Sequence, residues 1–254
     1  MYGMYLSASG AQAYSQYLDV LSNNIANADT PGFKRQIPVL QARAAEAIEQ
    51  GLMESGQGQR EDVGGGVYLS STPTEFAVGA VASTGNPTDL ALADTEGKSF
   101  FVLQGDGEKL LTRAGNFYKD LDGYVRSQDG RHVLNTGGTP VSVDPRYPFE
   151  VSSDGIVSQR ENRLRVPLAI EQPGAFSDLE QVGSNSFRSK SKTFAAPPED
   201  RQVRQGFLEK SSTQPMQEMV EMIKASRAYE ANIRMIQNQD STMESLIGRV
   251  LSGE

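Results

Sequence analysis

The chain contains no cysteine, no tryptophan and a single histidine. Without cysteine there can be no disulfide, no thiolate nucleophile and no thiolate metal site. Positive charge is in deficit, with 24 Lys+Arg against 32 Asp+Glu and a formal net charge of -8, so nucleic acid is not expected as a partner. No segment approaches the ~18 consecutive apolar residues of a membrane-spanning helix, so the chain is not expected to span a membrane. The beginning, MYGMYLSASGAQAYSQ, lacks a basic stretch, an apolar stretch and an A-x-A site, so no cleaved secretory signal is expected. A cytosolic protein follows, unless the chain leaves by a route that needs no such signal.

What is present is turn-forming and polar: 25 Gly, 12 Pro and only 37% hydrophobic residues in 254, a balance suited to a β-rich protein with much surface. That length allows one or two domains. The two ends read differently from the middle. Near the start, Met4, Ala11, Leu18 and Ile25 form one series at a spacing of seven, and Tyr14, Leu21 and Ala28 a second, which together predict a helix with an a/d seam. Gln12, Gln16, Asp19, Asn23 and Asn27 lie on the opposite face. Asp29-Thr30-Pro31-Gly32 then ends the helix, because proline lacks a donor and restricts the residue before it. After Gly206 helical periodicity returns. Met219, Met222, Ser226, Tyr229, Ile233, Ile236, Asp240, Met243, Ile247 and Val250 alternate steps of three and four from a start at Pro215, with Glu230 and Arg234 as an outer pair. About 38 residues at 1.5 Å each predict a rod of roughly 55 Å. Helices of this kind are marginal in water unless the seam is covered, and the nearest cover for each is the other.

Between them lies strand and turn. Three Asp-Gly pairs, at Asp106-Gly107, Asp122-Gly123 and Asp129-Gly130, punctuate runs such as Phe100-Phe101-Val102-Leu103 and predict a β-meander, continued around Asp154-Gly155. The expected class is α+β: an antiparallel β domain, sandwich or partly closed barrel, flanked by terminal heptad helices that pair as a coiled coil. The expected organisation is a helical domain from 1–30 and 208–254, a connector over 31–66 and a β domain over 67–207. GQGQREDVGGG in the connector carries three glycines but no phosphate-loop pattern, so it reads as linker.

No chemistry-bearing constellation emerges. His132 has no second ligand and reads as a surface strand residue; Asp120, Asp122 and Gly123 begin but do not complete a calcium loop; the many carboxylates fall in no distinctive motif. No enzyme activity, cofactor or metal is expected. Asn23, Asn24 and Asn27 are the unusual helix residues, because amides at a seam cost stability and fix register.

Three stretches carry a resemblance. LSNNIANADTPGFKR (21–35), the middle stretch from TGNPTDL through LLTRAGNFYKDLDG, and QGFLEKSST (205–213) with its helix centred on Arg227-Ala228-Tyr229-Glu230 resemble, in order, signatures of the bacterial flagellar axial proteins, the rod and hook family. The resemblance implies a structural subunit of the basal-body rod, a torque-transmitting shaft across the periplasm, self-assembling with other axial subunits through its terminal helices. It also implies export by the flagellar type III apparatus without a cleaved signal, and its length favours the proximal-rod type, with the distal-rod type next. Subunit contacts are then expected at Met4, Ala11, Tyr14, Leu18, Leu21, Asn23, Asn24, Ile25, Asn27 and Phe33, and at Met219, Met222, Tyr229, Ile233, Ile236, Met243, Ile247 and Val250. Leu18, Leu21 and Ile25 would meet Tyr229, Ile233 and Ile236 within the chain, the asparagines would face neighbours, and Phe33 would anchor the bend. The alternative from another class is a secreted β-rich binding module, such as an adhesin, oligomerised by its helices.

Overall fold

The computed structural model describes residues 2–43, 64–161 and 163–252, so most of the expected linker, residues 44–63, lies outside the described residues. The fold is α+β and every strand pairing is antiparallel. The chain divides into two compact units: residues 1–26, 36–74 and 214–254 form the first, and residues 27–35 and 75–213 the second.

The first unit holds α1 (Tyr2–Ala26), β1 (Val39–Ala42), β2 (Val67–Ser71) and α2 (Pro215–Ser252). α2 begins at Pro215, which needs no donor there, and the Gln214 carbonyl accepts the amides of Gln217 and Glu218. β1 pairs with β2, Leu40 opposite Leu69 and Ala42 opposite Val67, so part of the stretch expected as connector is a hairpin arm. β2 was expected in the central β domain; its partner strand lies in the helical unit instead.

The second unit is built on a six-stranded sheet. In chain order its strands are β3 (Val81–Ser83), β4 (Leu90–Leu92), β5 (Phe100–Gln104), β6 (Lys109–Thr112), β7 (Tyr118–Lys119), β8 (Val125–Arg126), β9 (Glu150–Val151), β10 (Ile156–Gln159), β11 (Leu164–Pro167), β12 (Ile170–Gln172), β13 (Leu179–Val182), β14 (Ser186–Ser189), β15 (Phe194–Ala195), β16 (Val203–Gln205) and β17 (Phe207–Glu209). The main sheet runs β13-β14-β6-β5-β12-β15, with smaller ladders β11-β10-β9, β16-β4, β17-β3 and β7-β8. The Asp-Gly pairs are turns, with φ of +88° at Gly107, +86° at Gly123 and +78° at Gly130. No closed barrel forms among the described residues.

β5 explains why Ser-Phe-Phe-Val-Leu reads as one apolar run rather than an alternating one. Phe101 and Leu103 join a core cluster with Leu90, Phe117, Val133 and Ile170, while Phe100 and Val102 join a second with Leu111, Leu134 and Phe187. Both faces of the strand are buried, so neither can carry polar residues.

Candidate functional site

The helices of the first unit pack on each other in an antiparallel register set by small and polar residues. A β-carbon on Gly3 would stand 2.8 Å from Gln239 Nε2, and one on Gly10 2.8 Å from Asn232 Oδ1. One end is closed by Asn24, whose Nδ2 donates to Glu218 Oε2 at 3.1 Å. Each step of seven along α1 is thus matched by a step of seven back along α2. The same register puts Tyr17 opposite Ala225, which is 2% exposed, so a ring meets a methyl group. Close approach demands glycine on one helix because the partner side chain is long.

The seam therefore differs from the expected one. Tyr14 and Leu21, Met222 and Tyr229 fall on it, but the alternate layer is Gly3, Gly10, Tyr17 and Asn24 rather than Met4, Ala11, Leu18 and Ile25, one residue later. On α2 that layer is Glu218, Ala225, Asn232 and Gln239 rather than Met219, Ser226, Ile233 and Asp240. Hydrophobic periodicity follows apolar residues, whereas this layer is held by small and polar ones. The expected pairing of Leu18, Leu21 and Ile25 with Tyr229, Ile233 and Ile236 is also displaced. The register brings Leu21 level with Met222, and Tyr14 level with Tyr229.

Asn24 is wholly buried and does not face outward. Its side chain accepts the Gln36 amide at 3.0 Å, donates to the Gln36 carbonyl at 2.8 Å and donates to Glu218, joining α1, the strap at Gln36 and α2. A buried amide left without partners would cost about 1–3 kcal/mol, and this one is fully used. Asn23 is exposed. Asn27, half-buried, receives the Thr30 hydroxyl on its side-chain oxygen at 3.1 Å as the helix gives way to a turn.

Of the remaining residues expected at contacts, Leu21 and Ala11 are buried, and Met4, Tyr14, Leu18, Ile25, Met222, Tyr229, Ile233 and Ile236 are half-buried. Met219, Met243 and Ile247 are exposed. Val250 lies in the helix, and its side chain lies outside the described residues.

The second unit contains a feature that the sequence reading missed. Lys34, Arg113, Glu209 and Asp94 form a buried cluster of two positive and two negative side chains, each no more than 5% exposed. Lys34 Nζ donates to Glu209 Oε1 at 2.6 Å and to the Ala77 carbonyl at 2.6 Å. Arg113 Nε donates to Glu209 Oε2 at 2.8 Å, and its Nη1 to Asp94 Oδ1 and the Ser99 carbonyl, both at 2.6 Å. The Gly79 amide donates to Glu209 Oε1 at 2.9 Å. Burial pulls the Lys34 ammonium below the ordinary lysine value, with the Arg113 charge acting the same way against the pull of Glu209. Glu209 is the hub, and its loss would strand two cations.

The backbone closes around this cluster. The Gly32 amide donates to the Glu209 carbonyl at 2.9 Å, and the Ser212 amide to the Phe33 carbonyl at 3.1 Å. Gly32 has φ +68°, and a β-carbon on it would lie 2.4 Å from the Ala114 nitrogen, so only glycine fits. Phe33 beside it is fully buried. The Gly-Phe-Lys, Thr-Arg-Ala-Gly and Gly-Phe-Leu-Glu stretches, far apart in the chain, thus meet at one point. A charged residue recurring inside each otherwise apolar or small motif was the available signal.

The other residues weighed from sequence have ordinary roles. Both Asp120 oxygens are taken, one by the Tyr124 amide at 2.7 Å and one by Arg126 Nε at 2.5 Å. His132 is half-buried and its ring meets Tyr124 edge-on at 5.0 Å. Among the described residues no group of three or more His, Cys, Asp or Glu is placed to hold a metal, and no helix is long and apolar enough to cross a membrane.

These features define an α+β structural module: a helix pair with an open apolar side, and a β unit fastened at a buried ion cluster. Residues 4–34 match the family described as "Flagella basal body rod protein", residues 95–159 "Flagellar hook protein FlgE/F/G D1 domain" and residues 204–249 "Flagellar basal body rod FlgEFG protein C-terminal". Over 248 residues the chain is 32% identical to "Flagellar basal-body rod protein FlgF" of Caulobacter vibrioides, covering 97% of each. It is 31% identical to "Flagellar basal-body rod protein FlgG" of Bacillus subtilis, covering 96% of this chain and 97% of that one. A FlgF protein of Mesorhizobium japonicum is 28% identical over 96% of this chain and 95% of its own. The chain belongs to the flagellar basal-body rod family, FlgF or FlgG type. Lys34, Arg113 and Glu209 each fall in a different one of the three matched stretches.

Proposed function

We propose that the chain is a structural subunit of the bacterial flagellar basal-body rod, polymerising through its terminal helices, paired as a coiled coil, into the torque-transmitting shaft. The observation that carries this reading is the combination of nearly full-length similarity to rod proteins with an exposed apolar stripe on α2, where Met216, Met219, Val220 and Ile223 are 46–75% exposed. Such a stripe is costly for a free monomer and useful to a polymer. Heterologous contacts repeated without closing give a helical assembly, and load is then shared over many small interfaces.

In this reading the subunit works without catalysis or a cofactor. The helices are the axial element, and the ion cluster fixes how the chain leaves α1 and enters α2, so that the geometry of the polymer repeats. Self and other axial subunits are the partners, the place is the periplasmic span of the rod, and export proceeds through the type III apparatus without a cleaved signal. The near-complete alignment with a FlgF protein of almost equal length supports the proximal-rod type. Nothing favours the adhesin reading.

Leu21→Asp tests the proposal, since Leu21 is 1% exposed on the seam. The β unit should stay folded and protease-resistant while incorporation into basal bodies is lost. Normal motility in that variant would refute the scheme.

A further inference from the structure

We infer that the two exposed apolar stripes at opposite ends of α2 are the two halves of one contact between copies of this chain, running head to tail with α2 parallel to α2. The inference rests on the rod reading and names the surface that reading leaves open.

α1 runs out before α2 does. Gly3 lies level with Gln239, so the last dozen or so residues of α2 continue past the end of α1, about 18 Å of helix. Over this overhang the seam continues in sequence, at Met243, Leu246 and Ile247, but no α1 residue remains to cover it. Those side chains are 38%, 52% and 55% exposed. At the other end of α2, Met216, Met219 and Val220 are 75%, 46% and 49% exposed on the face turned away from α1.

The two stripes have the same spacing. Met216, Met219 and Val220 become Met243, Leu246 and Ile247 on moving 27 residues along, and the step repeats at Ile223 and Val250. Twenty-seven residues are about 7.5 turns at 3.6 residues per turn, so the stripes face opposite sides of one helix. Matching patches on opposite sides and at opposite ends cannot pair two copies into a closed dimer. They can pair a copy with the next one, and that with another, without end. In that arrangement the outer stripe of the following copy covers the overhanging seam, taking up where α1 stops. Continuity with the α1–α2 seam and the matched spacing point to a second copy as the occupant.

The absence of cysteine makes the test clean. Met219→Cys and Leu246→Cys are introduced together, at equivalent places in the two stripes, in cells where the variant replaces the wild-type chain. Some 40 Å of helix separates them within one copy, so a disulfide between them must be intermolecular. Mild oxidation of isolated basal bodies should give a ladder of dimers, trimers and higher species. Cells carrying either single variant should give monomer, and cells expressing both single variants together should stop at dimers. Val220→Cys with Ile247→Cys should behave alike and serves if the first pair blocks assembly. Dimers from a single variant, cross-links only to another polypeptide, or no ladder in basal bodies of motile cells would overturn the inference while leaving the rod function intact. Complete rods in cells lacking the chain would instead overturn the rod reading itself.

Discussion

Asn24 and Glu218, 194 residues apart in sequence, meet through a buried hydrogen bond of 3.1 Å that joins the end of α1 to the beginning of α2. Asn24 is the one side chain here that must donate to both a carboxylate and a carbonyl while accepting from an amide. Asn24→Asp removes the donors and sets a second carboxylate against Glu218, so it should cost more than Asn24→Ala, by about 1 kcal/mol or more. Urea unfolding followed by helical circular dichroism at neutral pH measures both. Equal losses would mean that the hydrogen bond to Glu218 contributes little.

Gly10 faces Asn232 too closely for a larger residue. Gly10→Leu should therefore force the helices apart and destabilise the first unit by about 1–3 kcal/mol, as overpacking does. Combining it with Asn232→Ala, which vacates the opposing space, should recover part of the loss. The double-mutant cycle measures this coupling, and purely additive losses would contradict the register.

Glu209→Ala leaves Lys34 and Arg113 buried beside one another without their shared counter-ion. Breaking a buried pair from one side costs about 3–5 kcal/mol, so this variant should unfold at a far lower urea concentration than the wild type. Replacing exposed Glu180 by Ala should change little. Comparable midpoints for the two variants would deny the cluster its fastening role.

The pH dependence has a defined sign. The Lys34 pKa is lowered in the folded chain from 10.5 by burial first, so in the alkaline window below 10.5 the unfolded chain binds more protons there. Stability contributed by this group then rises with pH, as the cost of burying the charge is relieved. Lys34→Met has no such group, so the stability of the wild type relative to this variant should increase as pH climbs toward 10.5. A relative stability that stays flat or falls would reverse the sign.

Much of the fold was readable because its signals were local. Pro31-Gly32 stopping α1, Pro215 starting α2 and the Asp-Gly turns depend on dihedral preferences carried by single residues. The doubly buried β5 announced itself as an unbroken apolar run. The helix register was not readable, because the layers that set it are Gly3, Gly10 and Asn24 against Gln239, Asn232 and Glu218, none of which counts as hydrophobic. Lys34, Arg113 and Glu209 were passed over for a related reason. Charged residues are seldom fully buried unless paired, and their partners lie 79 to 175 residues away, at distances sequence alone does not reveal.

Electron microscopy of basal bodies from cells lacking this chain tests the central claim most directly. The account predicts rods that stop short, no hook or filament, and non-motile cells restored by the wild-type chain but not by Leu21→Asp. Complete rods in motile cells would contradict it.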